Sequence, residues 1–314
     1  MTLPAGTGAA PGKVILFGEH AVVYGQPAIA VPVQQVQARV LVRPLFNAPS
    51  GRIRILAPDV GLEADLGELD ENQPLAAAVR LTLREMGVEY PLAVTIRVTS
   101  TIPVAAGLGS GAAVSVALAR ALSSFMGHPL ADEQVSAVAF EVEKIHHGTP
   151  SGIDNTVVTY AQPVYYLKDK PIETFRVGTP FTLLIADTGI PSPTRAAVGD
   201  VRTAREAEPA KYEALFAEIG AVSAAARGCL ERGELAQLGE LMNTNHSLLR
   251  QIGVSSPELD ALVAAAREAG ALGAKLSGGG RGGNMIALPG EDADALEAAL
   301  RAAGARAVMR TEVA

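Results

Sequence analysis

The residues of this chain that could do chemistry fall in four short stretches. In "PVAAGLGSGAAVSVA", residues 103–117, a glycine-dense knot runs directly into an alanine- and valine-rich segment. The preceding "LAVTIRVTST" alternates like a strand, and the apolar positions after Ser110 recur at helical spacing, so the knot joins a strand to a helix start. A helix N-terminus offers unpaired N–H groups and a partial positive charge, and glycine lets an anion approach them closely. Together these make a phosphate cradle, with Ser110 at or near the N-cap and its hydroxyl facing a phosphate oxygen or a metal ion. A tight corner with Ser110 as an ordinary cap accounts for the same letters. The knot is not a Walker A loop, because Gly111 is followed by Ala112 and Ala113 rather than Lys-Ser/Thr.

The second stretch is "KLSGGGRGGNMIAL", in which Gly278, Gly280 and Gly283 fit G-x-G-x-x-G spacing. A dinucleotide fingerprint must open a helix. Here a strand-like "NMIAL" follows, which disfavours a Rossmann dehydrogenase and leaves a sharp hairpin or a backbone approach to a ligand. The third, "PGKVILFGEHAVVYGQPAIA", sets Lys13 just before a short apolar strand and Glu19 and His20 just after it. Polar groups that bracket a buried strand can point into one cleft; a solvated lysine and a surface acid are the plainer reading. The fourth, "EVEKIHHGTPSGIDN", ends a helix at Gly148 and continues into a turn at Pro150, Ser151 and Gly152. Asp154 on that turn is a base, a metal ligand or an Asx-turn former. His146 and His147 lie about 100° apart on a helix, a poor arrangement for ligating one ion. Glu143, one turn before the helix end, reads by itself as a surface acid beside Lys144.

The elements that must carry these stretches are both helical and extended. "KVILF", "AIAVPVQQVQARVLVRPL", "GRIRILAP" and "FTLLIADTG" read as strands, and "PLAAAVRLTLREMG" and "DEQVSAVAFEVEKIHHG" as helices. From Glu213 onward, three helical stretches, a strand–glycine loop–strand, a helix and a last strand follow. From Ser110 onward, Val114, Leu118, Ala121, Leu122 and Phe125 share one face. Without a strict βαβ rhythm, the class is α+β. The chain's 314 residues suggest two domains, with a boundary in "LKDKPIETFRVGTP" that divides 1–178 from 179–314. Trp is absent and aromatics are 4%, so the core must be built from Val, Leu, Ile and Ala. The net charge of −7 speaks against nucleic acid as a partner, though not against a small anion in a locally positive pocket. No run reaches the about 18 apolar residues of a membrane span. The single cysteine, Cys229, and the absence of a signal-peptide pattern fit a cytoplasmic setting.

Taken together, the four stretches resemble the motifs of the GHMP kinase superfamily, which appear in order along nearly the whole chain. Within the superfamily, "GEHAVVYGQPA", "HGTPSGIDN", "ADTGIPSPT" and "NHSLLRQIGVSSPELD" are most similar to its mevalonate kinase branch. The resemblance implies an N-terminal domain like domain 2 of ribosomal protein S5 and a ferredoxin-like C-terminal domain, with the active site between them. It implies ATP as co-substrate, Mg²⁺ as metal, and phosphorylation of the C5 hydroxyl of mevalonate in isoprenoid synthesis. It admits a homodimer, and another small-molecule kinase or a non-catalytic nucleotide-binding member of the fold are the alternatives. Asp154 would accept the hydroxyl proton and Lys13 would balance charge at the transferring phosphoryl group. Ser110 and Glu143 would hold the metal. Pro103, Ala106, Gly107, Leu108, Gly109, Ser110, Gly111 and Ala112 would cradle the ATP phosphates, with Gly278, Gly279 and Gly280 closing over them. Glu19, His20 and Thr194, with Lys13 and Asp154, would read the acceptor. Two positions depart from the family pattern: Gly111, where a second serine is common, and Arg281, where a small residue is common. Arg281 either adds positive charge near the phosphates or points outward.

Overall fold

The structure, a computed structural model, describes residues 5–89, 91–103, 107–147, 150–171, 173–192 and 194–314, with the side chains of His146 and His147 outside that description. Ala106, an expected phosphate contact, and Gly148, the expected helix stop, also lie outside the described residues. The chain forms two compact units. One comprises Met1–Gly12, Val36–Pro103 and Gly109–Ala161; the other comprises Lys13–Gln35, Val104–Leu108 and Gln162–Ala314.

The elements begin with β1 (Gly6–Phe17), β2 (Ala28–Pro44), β3 (Ile53–Ala57), β4 (Leu62–Asp65), α1 (Pro74–Glu85) and β5 (Val94–Ser100). The helices α2 (Ser110–Phe125), α3 (Asp132–His147) and α4 (Ile153–Tyr160) follow. In the first unit the strands run β4-β3-β5-β2, antiparallel except for β3 beside β5. Alternation sets the faces: Val40, Val42, Ile55, Ile96 and Val98 are buried, while Arg39, Arg43 and Arg97 stand exposed between them. Helix α1 starts where Gln73 Oε1 accepts the Ala76 N–H at 2.8 Å and Pro74 takes the first helical position.

Helix α2 departs from the one-faced pattern expected of it. It touches α1, α3, α4 and β5, and is buried almost all round, Ser115 and Ser123 included. Its alanines are what permit this, since small side chains let neighbours close in on every side. It also lies close against β1, where a Cβ on Gly8 would stand 2.1 Å from the Ala117 carbonyl oxygen.

The second unit adds β6 (Val164–Tyr166), β7 (Glu173–Thr174), β8 (Phe181–Asp187), α5 (Thr194–Ala207), α6 (Pro209–Arg232), α7 (Leu235–Gln251) and α8 (Pro257–Glu268). It ends with β9 (Gly273–Ser277), β10 (Asn284–Leu288), α9 (Ala293–Ala302) and β11 (Ala307–Val313). Its four-stranded sheet, β11-β8-β10-β9, is antiparallel throughout. Residues 278–283 therefore link two antiparallel strands and open no helix, in keeping with the reading against a Rossmann site. Leu184, Ala186, Leu276 and Met285 of the sheet share a core with Phe216 and Ile219 of α6, Leu249 of α7, Leu262 of α8 and Leu300 of α9. A short 3₁₀ turn, Ala21–Tyr24, docks into this core: Ala21 is fully buried in it and Tyr24 stacks on Phe216 with centroids 4.3 Å apart. The mixed architecture is α+β, as its sequence pattern indicates. No helix among the described residues is long and apolar enough to cross a membrane.

Candidate active site

In the first unit the candidate residues gather at two helix starts. Gly109, left-handed with φ 71°, is the N-cap of α2 and Ser110 the first helical residue, next to the cap as the sequence pattern indicates; no side-chain hydrogen bond caps this end among the described residues. Its terminal N–H groups lack an intrahelical partner by construction. Glu143, buried on α3, brings Oε1 to 2.9 Å from where a Cβ on Gly111 would stand. The departure at Gly111 thus has a physical cause, because its missing side chain is the space that the carboxylate takes.

Asp154, which the sequence pattern places on a turn, lies instead in the first turn of α4, behind a left-handed Gly152 with φ 91°. The amphipathic signal was too short to announce an eight-residue helix. Ile153 and residues 155–159 are all buried, whereas Asp154 is half-buried. A carboxylate there is favoured by the helix dipole. The helix is pinned at both ends. Asn155 Nδ2 donates to Ser136 Oγ at 2.9 Å and to Ser136 O at 3.3 Å, and the Arg120 guanidinium donates to the Thr159 carbonyl.

In the second unit, Lys13 and Glu19 are buried, not the solvated lysine and surface acid of the plainer reading. The Lys13 N–H donates to Leu108 O at 3.0 Å, which ties β1 to the glycine knot. His20 has φ 60° and initiates the 3₁₀ turn. Its Nε2 lies 3.0 Å from the Gly279 carbonyl oxygen, an acceptor only, so Nε2 carries the proton. Burial first, and the Arg281 charge in lesser degree, hold the His20 pKa down to about 4 against the opposing bond to Gly279, so the ring is neutral at pH 7. Its Nδ1 is buried with no hydrogen-bond partner among the described residues. Thr194, at the start of an α5 that the sequence pattern did not announce, places Oγ1 2.7 Å from the position of a Cβ on Gly279. Thus His20, Thr194 and Gly279 come together. A Cβ on Gly280 would stand 1.9 Å from Val254 O, so packing demands glycine there, while among the described residues nothing lies within 4 Å of a Cβ on Gly278 or Gly107. Arg281 pairs with Asp200, the outward alternative of its two readings.

Sequence reasoning gave no role to Lys275, Asn245 or His246. Lys275 is fully buried on β9, paired with Glu19 Oε1 and donating to Leu276 O at 2.7 Å. Asn245 Nδ2 donates to Glu19 Oε2 at 3.1 Å. On the outer side of β9, Asn243 Oδ1 accepts the Ala274 N–H at 3.1 Å and His246 Nδ1 accepts the Leu276 N–H at 3.3 Å. A signal was present in the sequence: a lysine inside an otherwise apolar strand needs a buried counter-charge. The partner, 256 residues away, is not legible from spacing.

Ser110 and Glu143 offer a hydroxyl and a carboxylate, hard oxygen donors of the kind a divalent cation takes. Among the described residues no cluster of three or more His, Cys, Asp or Glu side chains could hold a metal. One hydroxyl and one carboxylate fit an ion that takes its remaining oxygen ligands from phosphate and water.

The N-terminal domain profile of the GHMP kinases matches residues 73–162, and the C-terminal profile matches residues 226–306. The mevalonate kinase of Thermococcus sibiricus is 39% identical over 94% of this chain and 92% of its own length, and that of Pyrococcus horikoshii 38% over 96% and 94%. Among solved structures, L. major mevalonate kinase in complex with R-mevalonate superposes with a TM-score of 0.83 at 32% identity, covering 98% of this chain and 95% of that one. Streptococcus pneumoniae phosphomevalonate kinase shares the fold, with a TM-score of 0.82 at 16% identity over 97% and 99%.

Proposed function

The chain belongs to the GHMP kinase family, and from that membership we propose that it transfers the terminal phosphoryl group of ATP to the C5 hydroxyl of (R)-mevalonate, giving 5-phosphomevalonate for isoprenoid synthesis. One observation carries the choice of acceptor: identity of 38–39% across more than nine-tenths of both chains with kinases named for mevalonate. The four motif stretches support the chemistry. We take residues 1–178 and 179–314 as the two domains and the cytoplasm as the setting.

Asp154 is the group that orients the acceptor hydroxyl and takes its proton. An alcohol is too weak an acid to be ionised beforehand by a carboxylate. Phosphoryl transfer is loose, however, so the proton can leave late, once bonding to phosphorus has made the hydroxyl acidic. Lys13 balances charge on the transferring group, and the N–H groups from Gly107 to Ala112 receive the phosphates with Pro103 at the edge of that loop. Gly278, Gly279 and Gly280 attend the same phosphates. Ser110 and Glu143 hold Mg²⁺, which when bound neutralises charge on the phosphate oxygens. His20 and Thr194 read the acceptor. Glu19, expected to do so directly, has both carboxylate oxygens engaged by Lys275 and Asn245, which supports a role at one remove.

ADP release measured across mevalonate, phosphomevalonate, homoserine and galactose tests the acceptor: turnover is expected with mevalonate, and a preference for phosphomevalonate overturns the assignment. In the same assay Asp154→Asn should lower kcat by about 10²-fold or more while nucleotide binding persists, the size expected for loss of a positioned general base. A mutant with most of its turnover would remove Asp154 from the chemistry.

A further inference from the structure

We propose that Lys275 is a positioning residue for the acceptor side of the site: its buried ammonium fixes Glu19, and through Glu19 the turn that presents the His20 imidazole, whose buried Nδ1 has no hydrogen-bond partner among the described residues. The proposal rests on the reading of His20 as an acceptor-binding residue.

Gly18 and His20 both have positive φ, 91° and 60°. Glycine adopts such a conformation freely, but a histidine is held there only when its surroundings over-determine it. At Gly18 a Cβ would stand 2.4 Å from Pro27 O, so the turn is squeezed from one side. From the other side it is fixed by Glu19, the residue between them. One carboxylate oxygen of Glu19 is paired with Lys275 and the other accepts from Asn245, and both charged side chains are wholly inaccessible. Ala21 and Tyr24, immediately downstream, are packed into the core of the same unit.

A buried ion pair is a poor way to gain stability, since well-packed apolar side chains of similar volume do as well or better. What such a pair supplies is direction. Lys275 stands three residues before the glycine loop, and His20 Nε2 bonds to Gly279 O within that loop. The Ser277 hydroxyl donates to Ile15 O at 2.7 Å, which ties β9 to β1. These contacts aim the ring as the Nε2–H tautomer and leave Nδ1 a buried acceptor without a partner among the described residues. Every alcohol acceptor carries the hydroxyl donor that would satisfy it.

The glycine loop does not depend on this device. Ser192 Oγ donates to Gly280 O at 2.8 Å and the Arg281 N–H donates to Val254 O at 2.8 Å. Removing the ion pair should therefore disturb His20 and the alcohol much more than the nucleotide.

The test compares Lys275→Met, which strands the Glu19 carboxylate, with Lys275→Met/Glu19→Gln, which removes both charges and keeps an acceptor for Asn245. For the double variant we expect a folded protein whose KM for mevalonate rises about tenfold or more while that for ATP stays within about twofold. Nitrogen-15 NMR of the ring, assigned with His20→Asn, should show the Nε2–H tautomer of His20 in the parent and its loss in the double variant. A folded double variant with the parental tautomer and parental KM values would overturn the proposal. Failure of both variants to fold would also overturn it, by making the pair a staple of the fold. If the parent does not phosphorylate mevalonate, the acceptor reading fails, and the ring signal still decides the role of Lys275.

Discussion

At the scale of single residues, absent atoms matter as much as present ones. Gly111 sits in the first turn of α2, where alanine is the better helix former by about 0.5–1 kcal/mol. Its cost to the helix is offset by the room it leaves for Glu143 Oε1. Gly111→Ala should therefore leave the melting temperature unchanged or raise it, because the displaced atom is the end of a flexible side chain. It should at the same time weaken metal use by about tenfold, the size seen when groups that orient a metal ligand are removed. A magnesium titration of activity beside a thermal melt checks both, and an unchanged magnesium requirement would sever Glu143 from the metal. The sequence displayed Gly111 as a departure without its cause, since Glu143 lies 32 residues further on and only the packing of α3 against α2 brings them together.

At the scale of elements, α4 shows why a site can be legible while its support is not. Asp154 stood out in a short polar turn, but the helix carrying it spans only Ile153–Tyr160, too brief for periodicity to declare. Its direction comes from Asn155 and Arg120, whose partners on α3 and on the backbone of α4 are tertiary facts. Asn155→Ala removes the bonds to Ser136 and leaves a buried hydroxyl and carbonyl short of a donor, a cost of about 1–3 kcal/mol. The helix should then settle differently. A shift of 1 Å in a reacting group can cost about 10²-fold, so kcat should fall at least tenfold while KM for ATP is retained. Full activity in a variant whose melting temperature has dropped would show that α4 keeps its aim without Asn155. The long elements were readable for the opposite reason. β2, α6, α7 and the β9–β10 hairpin each repeat their pattern often enough to outvote local exceptions. By contrast α5, with a polar composition and few buried residues, gave little to read.

At the scale of the whole molecule, two buried histidines set a limit in acid. Burial holds His20 and His246 to pKa values of about 4, although Asp260 at 3.2 Å from His246 Nε2 works in the other direction. Below the ordinary value of 6.5, the unfolded chain takes up protons at these positions that the folded chain refuses. Each neutral ring therefore contributes on the order of 2–3 kcal/mol that is fully present above pH 6.5 and lost as the pH falls toward 4. Urea midpoints should decline across that interval, and His246→Gln, which can still accept from Leu276, should flatten the decline. An unaltered slope in that variant would assign the acid sensitivity to other groups. His246 and Asn243 have one more consequence. β9 ends its sheet, and an end strand whose outward amides are unclaimed is a template on which a foreign strand can grow. Side chains from α7 occupy those amides at Ala274 and Leu276, sealing the margin against recruitment. Protonating His246 turns its accepting nitrogen into a donor and breaks that seal, so a solution brought down to about pH 4 should turn cloudy before circular dichroism reports any loss of helix.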